Sequence, residues 1–141
     1  MSTHPKLTAP SDWPSLRQQA LRANGGLVPI VLVSLDHCPF CRRLIQEQLV
    51  PRMKEGSPTI VVMEFDLSDG LQTDARGTRF LPSPREWALR YGFRFAPTVT
   101  AVDPDLKPVG SPLLGYSSVD FYSAYLEALI VAGRTSWKTR P

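Results

Sequence analysis

Two cysteines, Cys38 and Cys41, are the only sulfur nucleophiles in a chain of 141 residues, and they stand in one motif, Cys38-Pro39-Phe40-Cys41. Thiols at this spacing can close a disulfide and reopen it by exchange. One thiolate attacks a foreign disulfide, and the second thiol resolves the mixed disulfide that forms. Pro39 fits the first position of a helix, where its fixed φ is already helical and its missing N–H costs no hydrogen bond. Cys38 then sits at the helix start, where unpaired N–H groups and the positive end of the helix dipole favour a thiolate. It is expected to attack. Cys41, one turn further in, is expected to be the more buried, resolving partner. His37 beside the motif and Arg42 one turn along are candidates to add positive potential. Two other readings compete. A free cysteine is often a small buried hydrophobe, and thiolates also bind metal. A closed zinc site needs four ligands, and beyond this pair the soft ligands are His4 and His37 alone, so no metal site is assigned within one chain. A soft metal on the two thiolates, or a zinc shared between chains, stays open.

The elements that must position this pair are legible around it. Ile30, Val31, Leu32 and Val33 form a continuous, mostly β-branched run, as in a strand covered on both faces. After Cys41 the apolar residues recur at Leu44, Ile45 and Leu49, with Arg42, Arg43, Gln46 and Glu47 on the wet side, which predicts an amphipathic helix. Pro51 is expected to kink or end it. Upstream, residues 1–10 read as a flexible lead-in. Ser11 or Asp12 caps a helix bearing Trp13, Leu16 and Ala20, and Gly25-Gly26 stops it. Downstream, residues 55–58 read as a turn and residues 59–65 as a second strand. Residues 67–82 form a long polar loop, a lid or a solvated excursion. Ser83-Pro84-Arg85-Glu86 is a capping box opening a short helix to about Tyr91. A strand entered through Pro97 runs to Val102, a turn follows at residues 103–107, and residues 109–114 return as an edge strand containing Pro112. Ser117 or Ser118 caps a last helix with Tyr122, Tyr125, Leu126 and Leu129 as its core stripe. Gly133 closes it, and residues 134–141 are expected as a flexible basic tail with Trp137 exposed.

Composition sets wide bounds. A chain with 43% hydrophobic and 21% charged residues is ordinary globular material for one domain. The net charge of +3, from 16 basic and 13 acidic residues, demands no nucleic-acid partner. One local cysteine pair is not a disulfide framework and leaves the compartment open. No apolar run is long enough for a membrane span. The expected location is cytoplasmic if Met1 is the natural start, and periplasmic or otherwise exported if a signal peptide has been removed.

Two motifs together carry a resemblance. Cys38-Pro39-Phe40-Cys41 directly follows an aliphatic strand, and Ala96-Pro97-Thr98 precedes the hairpin. With the element order, they make residues 11–133 similar to the thioredoxin fold, an α/β fold whose central mixed sheet has helices on both faces. The family keeps that proline cis and against the disulfide, so the resemblance implies a cis Ala96–Pro97 bond. It further implies that the Ala96 backbone pairs with an extended substrate segment while Cys38 reaches its sulfur, with Pro97 and Phe40 as further substrate contacts. The activity implied is thiol–disulfide exchange with protein substrates, in a direction that Pro39 and Phe40 alone do not decide. The redox-active Cys38/Cys41 pair carries the electrons itself as a dithiol, so no cofactor is expected; an upstream reductase or oxidase and a monomeric state are. The motif is close to that of glutaredoxins. These, however, have little chain before the cysteines and carry Gly-Gly after the proline strand, which is missing here. The leading helix and Arg42-Arg43-Leu44 look more like bacterial thioredoxin-related proteins. Thioredoxins also keep an aspartate on the strand before the motif, where this chain has Leu32. Glu64, Asp66, His37 or a water could take its place as proton acceptor. The alternative function is a non-catalytic thioredoxin-fold protein whose two thiols hold a metal or a partner.

Overall fold

Four strands build the sheet in the computed structural model, which describes residues 4–53, 59–68, 83–116 and 121–138. In chain order the elements are α1 (Trp13–Ala23), β1 (Val28–Ser34), α2 (Pro39–Leu44), β2 (Ile60–Asp66), α4 (Pro84–Arg90), β3 (Thr98–Val102), β4 (Pro108–Leu114) and α5 (Tyr122–Lys138); between α2 and β2, a π-helical turn (Ile45–Leu49) leads into α3 (Val50–Met53). The strand order is β2-β1-β3-β4. β1 runs parallel to β2 and antiparallel to β3, and β4 pairs antiparallel with β3 at the edge. The central strand β1 is buried along its whole length, as its unbroken aliphatic run requires.

Alternation along the strands separates two cores. Ile30, Leu32, Val62, Val99 and Ala101 face one way, against Leu44, Ile45 and Leu49 of the cysteine helix and Leu126, Leu129 and Ile130 of α5. Val31, Val33, Met63 and Phe65 face the other way, against Trp13, Leu16 and Ala20 of α1 and Trp87 of α4. The helix from Pro39 continues past Pro51 by widening. Proline cannot donate to the ladder and its ring crowds the carbonyl one turn back. The Ile45–Leu49 turn ahead of it is π-helical, with Val50 N–H bonded to Ile45 O.

Both expected tails are corrected. Leu7 and Thr8 are held to the sheet: Leu7 is buried, and Thr8 bridges to Met63 through Thr8 N–H to Val62 O and Glu64 N–H to Thr8 O, each 2.9 Å. Gly133 does not close the last helix, which runs on to Lys138. Gly133 is where the helix touches the sheet, since a Cβ there would meet Val28 and Ala101 side chains. Trp137 is not an exposed aromatic but 2% accessible. It packs edge-on against Trp13 and donates from Nε1 to Val102 O at 2.8 Å. Tyr125 is corrected in the opposite sense: 62% accessible, it stands off the core stripe that Tyr122, Leu126 and Leu129 share. The turn at residues 55–58, the caps Ser117 and Ser118, residues 139–141 and most of the 67–82 loop lie outside the described residues.

Candidate active site

Cys38 is the N-cap of α2, in an extended backbone conformation, and Pro39 follows at the first helical position. Cys38 and Cys41 are joined as a disulfide with Cα atoms 5.2 Å apart. Cys38 is half-buried, whereas Cys41 is 1% accessible. The Cys41 backbone N–H donates to Cys38 Sγ at 3.2 Å, a side-chain cap made by sulfur. His37 turns the chain from strand to helix with φ at +56°. Its side chain and that of Arg42 are exposed, and among the described residues neither is hydrogen-bonded to a cysteine sulfur.

The strand register brings the second motif to the same end of the sheet. Val33 pairs with Thr98, so Pro97 and Ala96 stand level with the residues that lead out of β1 towards Cys38. The Ala96–Pro97 bond is cis. Thr98 Oγ1 donates to Phe95 O at 2.8 Å, and Gly115 N–H donates to Pro97 O at 2.8 Å, from a backbone at φ +76° that favours glycine. Phe40 beside the disulfide and Phe95 before the proline are 51% and 69% accessible.

Beneath the cysteine helix, Leu32 of β1 lies between Val99 and Glu64. Glu64 therefore shares the face of the sheet that Leu44 and Ile45 cover, and it is only 6% accessible. Ser34 Oγ donates to Glu64 Oε2 at 2.7 Å. Asp66 is half-exposed and accepts from Ser68 N–H, and His37 is exposed. Of the three side chains considered as proton acceptors, Glu64 alone is buried on the cysteine-helix side.

No family model matches the chain, and no curated relative does. Solved structures do match. The oxidised C-terminal domain of DsbD from Neisseria meningitidis aligns with 87% of this chain and 98% of its own at a TM-score of 0.57 and 16% identity. Spinach chloroplast thioredoxin f covers 94% and 97% at 0.53 and 16% identity. The thioredoxin NaTrxh of Nicotiana alata covers 95% and 98% at 0.53 and 15% identity. The chain has the thioredoxin fold. At these identities the likeness establishes architecture and leaves the chemistry to the chain's own residues.

Within this thioredoxin fold, one cluster beside the cysteine helix escaped the sequence. Tyr116 Oη donates to Glu47 Oε1 at 2.6 Å and accepts from Gln48 Nε2 at 3.2 Å. Arg43 lies 3.6 Å from Glu47, with its guanidinium 5.6 Å from the Tyr116 ring centroid. The Tyr116 hydrogen bond holds the Glu47 carboxyl below its usual value, and Arg43 acts in the same sense. Burial pushes the Tyr116 hydroxyl up, and its bond to Glu47 adds to this. The i,i+4 pair Arg43–Glu47 was readable from spacing. Tyr116, two residues past the edge strand, has no comparable spacing signal. Among the described residues, no group of three or more His, Cys, Asp or Glu could hold a metal ion, and no helix is long and apolar enough to cross a membrane.

Proposed function

We propose that the protein is a thiol–disulfide oxidoreductase acting on protein disulfides. The observation that carries this reading is the unequal burial of two bonded sulfurs at a helix start, at the sheet end that also holds the Ala96–Pro97 turn. In the reducing direction, the Cys38 thiolate attacks one sulfur of a substrate disulfide. A mixed disulfide forms with the attacked sulfur, and the other substrate sulfur leaves as a thiolate that takes up a proton from solvent. Cys41 then gives up its proton, attacks Cys38 Sγ and expels the attacked substrate sulfur. Two electrons have passed from the dithiol to the substrate, and the Cys38–Cys41 disulfide is closed. The oxidising direction is the same sequence reversed. A dithiol donor or a disulfide acceptor must restore the pair, and the dithiol needs no organic cofactor.

Ala96 supplies backbone for pairing with an extended substrate segment, and Pro97 and Phe40 flank it as apolar contacts. Pro39 sets the helix start. Glu64 is the proton acceptor for Cys41. A buried thiol attacks slowly unless a base takes its proton, and Glu64 is the buried acid on the face that the cysteine helix covers. Arg42 acts on Cys38 only through solvent-screened charge, and His37 by turning the chain from strand to helix.

The test is insulin disulfide reduction by the full chain with dithiothreitol as donor. Cys38→Ser abolishes it, and Cys41→Ser accumulates a mixed disulfide with substrate. Turnover retained in Cys38→Ser removes the reading. Stoichiometric metal in natively purified protein, without turnover, replaces it with a binding role for the two thiols. The reduction potential gives the direction: near about −270 mV the pair reduces substrates, near about −120 mV it oxidises them.

A further inference from the structure

The proposed site has two halves on separate elements. The sulfurs ride on the cysteine helix, and the substrate-pairing backbone of Ala96 lies in the loop before β3. A protein substrate must meet both at once, its backbone at Ala96 and its sulfur at Cys38. A small disulfide needs the sulfur alone. What holds the two halves in register therefore governs one class of substrate more than the other.

On the β1 side the register of Val33 with Thr98 joins them. A second connection runs along the opposite flank. Pro97 O accepts from Gly115 N–H at 2.8 Å. The next residue, Tyr116, reaches across to the cysteine helix, donating to Glu47 Oε1 at 2.6 Å and accepting from Gln48 Nε2 at 3.2 Å. Both of these partners lie in the π-helical turn Ile45–Leu49. In an α-helix two consecutive residues point well apart. The wider π turn allows both to serve one hydroxyl. The Tyr116 ring is fixed as well, with Tyr122 edge-on at 4.9 Å and the Arg43 guanidinium nearby. Tyr116 is 4% accessible.

We propose that Tyr116 is a positioning residue, a brace between the Ala96–Pro97 turn and the π turn of the cysteine helix that selects protein disulfides over small ones. The inference rests on the oxidoreductase reading above. It assigns a role to Glu47 and Gln48 as the helix ends of the brace.

The experiment compares wild type with Tyr116→Phe, using insulin and 5,5′-dithiobis(2-nitrobenzoic acid) as the two substrates and the full chain throughout. The ratio of kcat/KM for insulin to kcat/KM for the small disulfide falls about two- to tenfold, the span of one net hydrogen bond. The fall comes through KM, and the reduction potential of the Cys38–Cys41 pair does not move. Glu47→Gln keeps an acceptor for the Tyr116 hydroxyl and loses less than Glu47→Ala. The two Glu47 variants give the same readout should the tyrosine variant misfold. An unchanged ratio, or equal loss on both substrates with a shifted potential, overturns the proposal, because the residue would then act on general structure or on the sulfur chemistry. Absence of turnover by the wild type on both substrates is a different failure. It removes the oxidoreductase reading and this inference with it.

Discussion

The backbone N–H of Cys41 points at Cys38 Sγ, 3.2 Å away, while Cys41's own side chain is buried. One residue thus supplies both a hydrogen-bond donor to the outer sulfur and the inner sulfur itself. A donor aimed at sulfur stabilises the thiolate over the thiol, and burial of Cys41 does the reverse. In the reduced protein Cys38 is therefore expected to ionise below the ordinary thiol value of about 8.5 and Cys41 above it. Thiolate absorbance in the ultraviolet against pH, in wild type and Cys41→Ser, measures both. A Cys38 pKa at or above the ordinary value contradicts the assignment of the attacking sulfur.

Glu64 gives the second prediction. Glu64→Gln keeps the volume and an acceptor for Ser34 Oγ, and it removes the base. Release of substrate from the Cys38 mixed disulfide should slow by about tenfold or more, a conservative share of what a positioned base contributes. The first step, attack by Cys38, should not slow. Rapid-mixing kinetics separate the two steps. Equal release rates in the variant and wild type assign the proton to water instead.

How much of this was legible in the sequence varies with the kind of signal. The strand before Cys38, the helix stripe of Leu44, Ile45 and Leu49, and the Ser83 cap of α4, whose Oγ accepts from Glu86 N–H at 3.1 Å, are local patterns with local causes. The sequence reading and the structure agree there. The errors concern contacts distant in sequence. Gly133 reads as a helix stop because glycine frees the backbone; here it is small because Val28 and Ala101 need the space. Trp137 reads as tail until Trp13 and Val102 O supply its partners. The burial of Glu64 follows from its register with Leu32, and no periodicity within residues 59–65 contains that. Tyr116 needed the π turn, which arises where a helix meets Pro51 under packing that spacing alone does not reveal.

Trp137 ties the end of α5 to the α1 side of the sheet, so its loss should be felt globally. Trp137→Ala is expected to destabilise by about 3–5 kcal/mol, the range for emptying a buried aromatic site. Trp137→Phe keeps much of the packing but leaves Val102 O without the indole donor, at a cost of about 1–3 kcal/mol. Urea unfolding of the two variants and wild type gives the order. A Trp137→Ala variant as stable as wild type would contradict the docking of the helix end.

Two tyrosines in contact, Tyr116 and Tyr122, fix the alkaline limit. Both hold their protons more tightly in the folded chain, Tyr116 through burial first and its bond to Glu47 second, Tyr122 through burial first and the nearby Tyr116 second. The folded values lie above the ordinary 10.0. The stability each contributes is complete below pH 10.0 and is lost as pH rises towards the folded values, because the unfolded chain releases the protons first. Stability should therefore decline above about pH 10, and more shallowly in Tyr122→Phe. That variant also removes a buried hydroxyl with no hydrogen-bond partner among the described residues. At neutral pH it should match wild type or exceed it by about 1 kcal/mol. Thermal unfolding between neutral and strongly alkaline pH tests both parts. A steeper alkaline loss in Tyr122→Phe than in wild type would count against the buried-hydroxyl account.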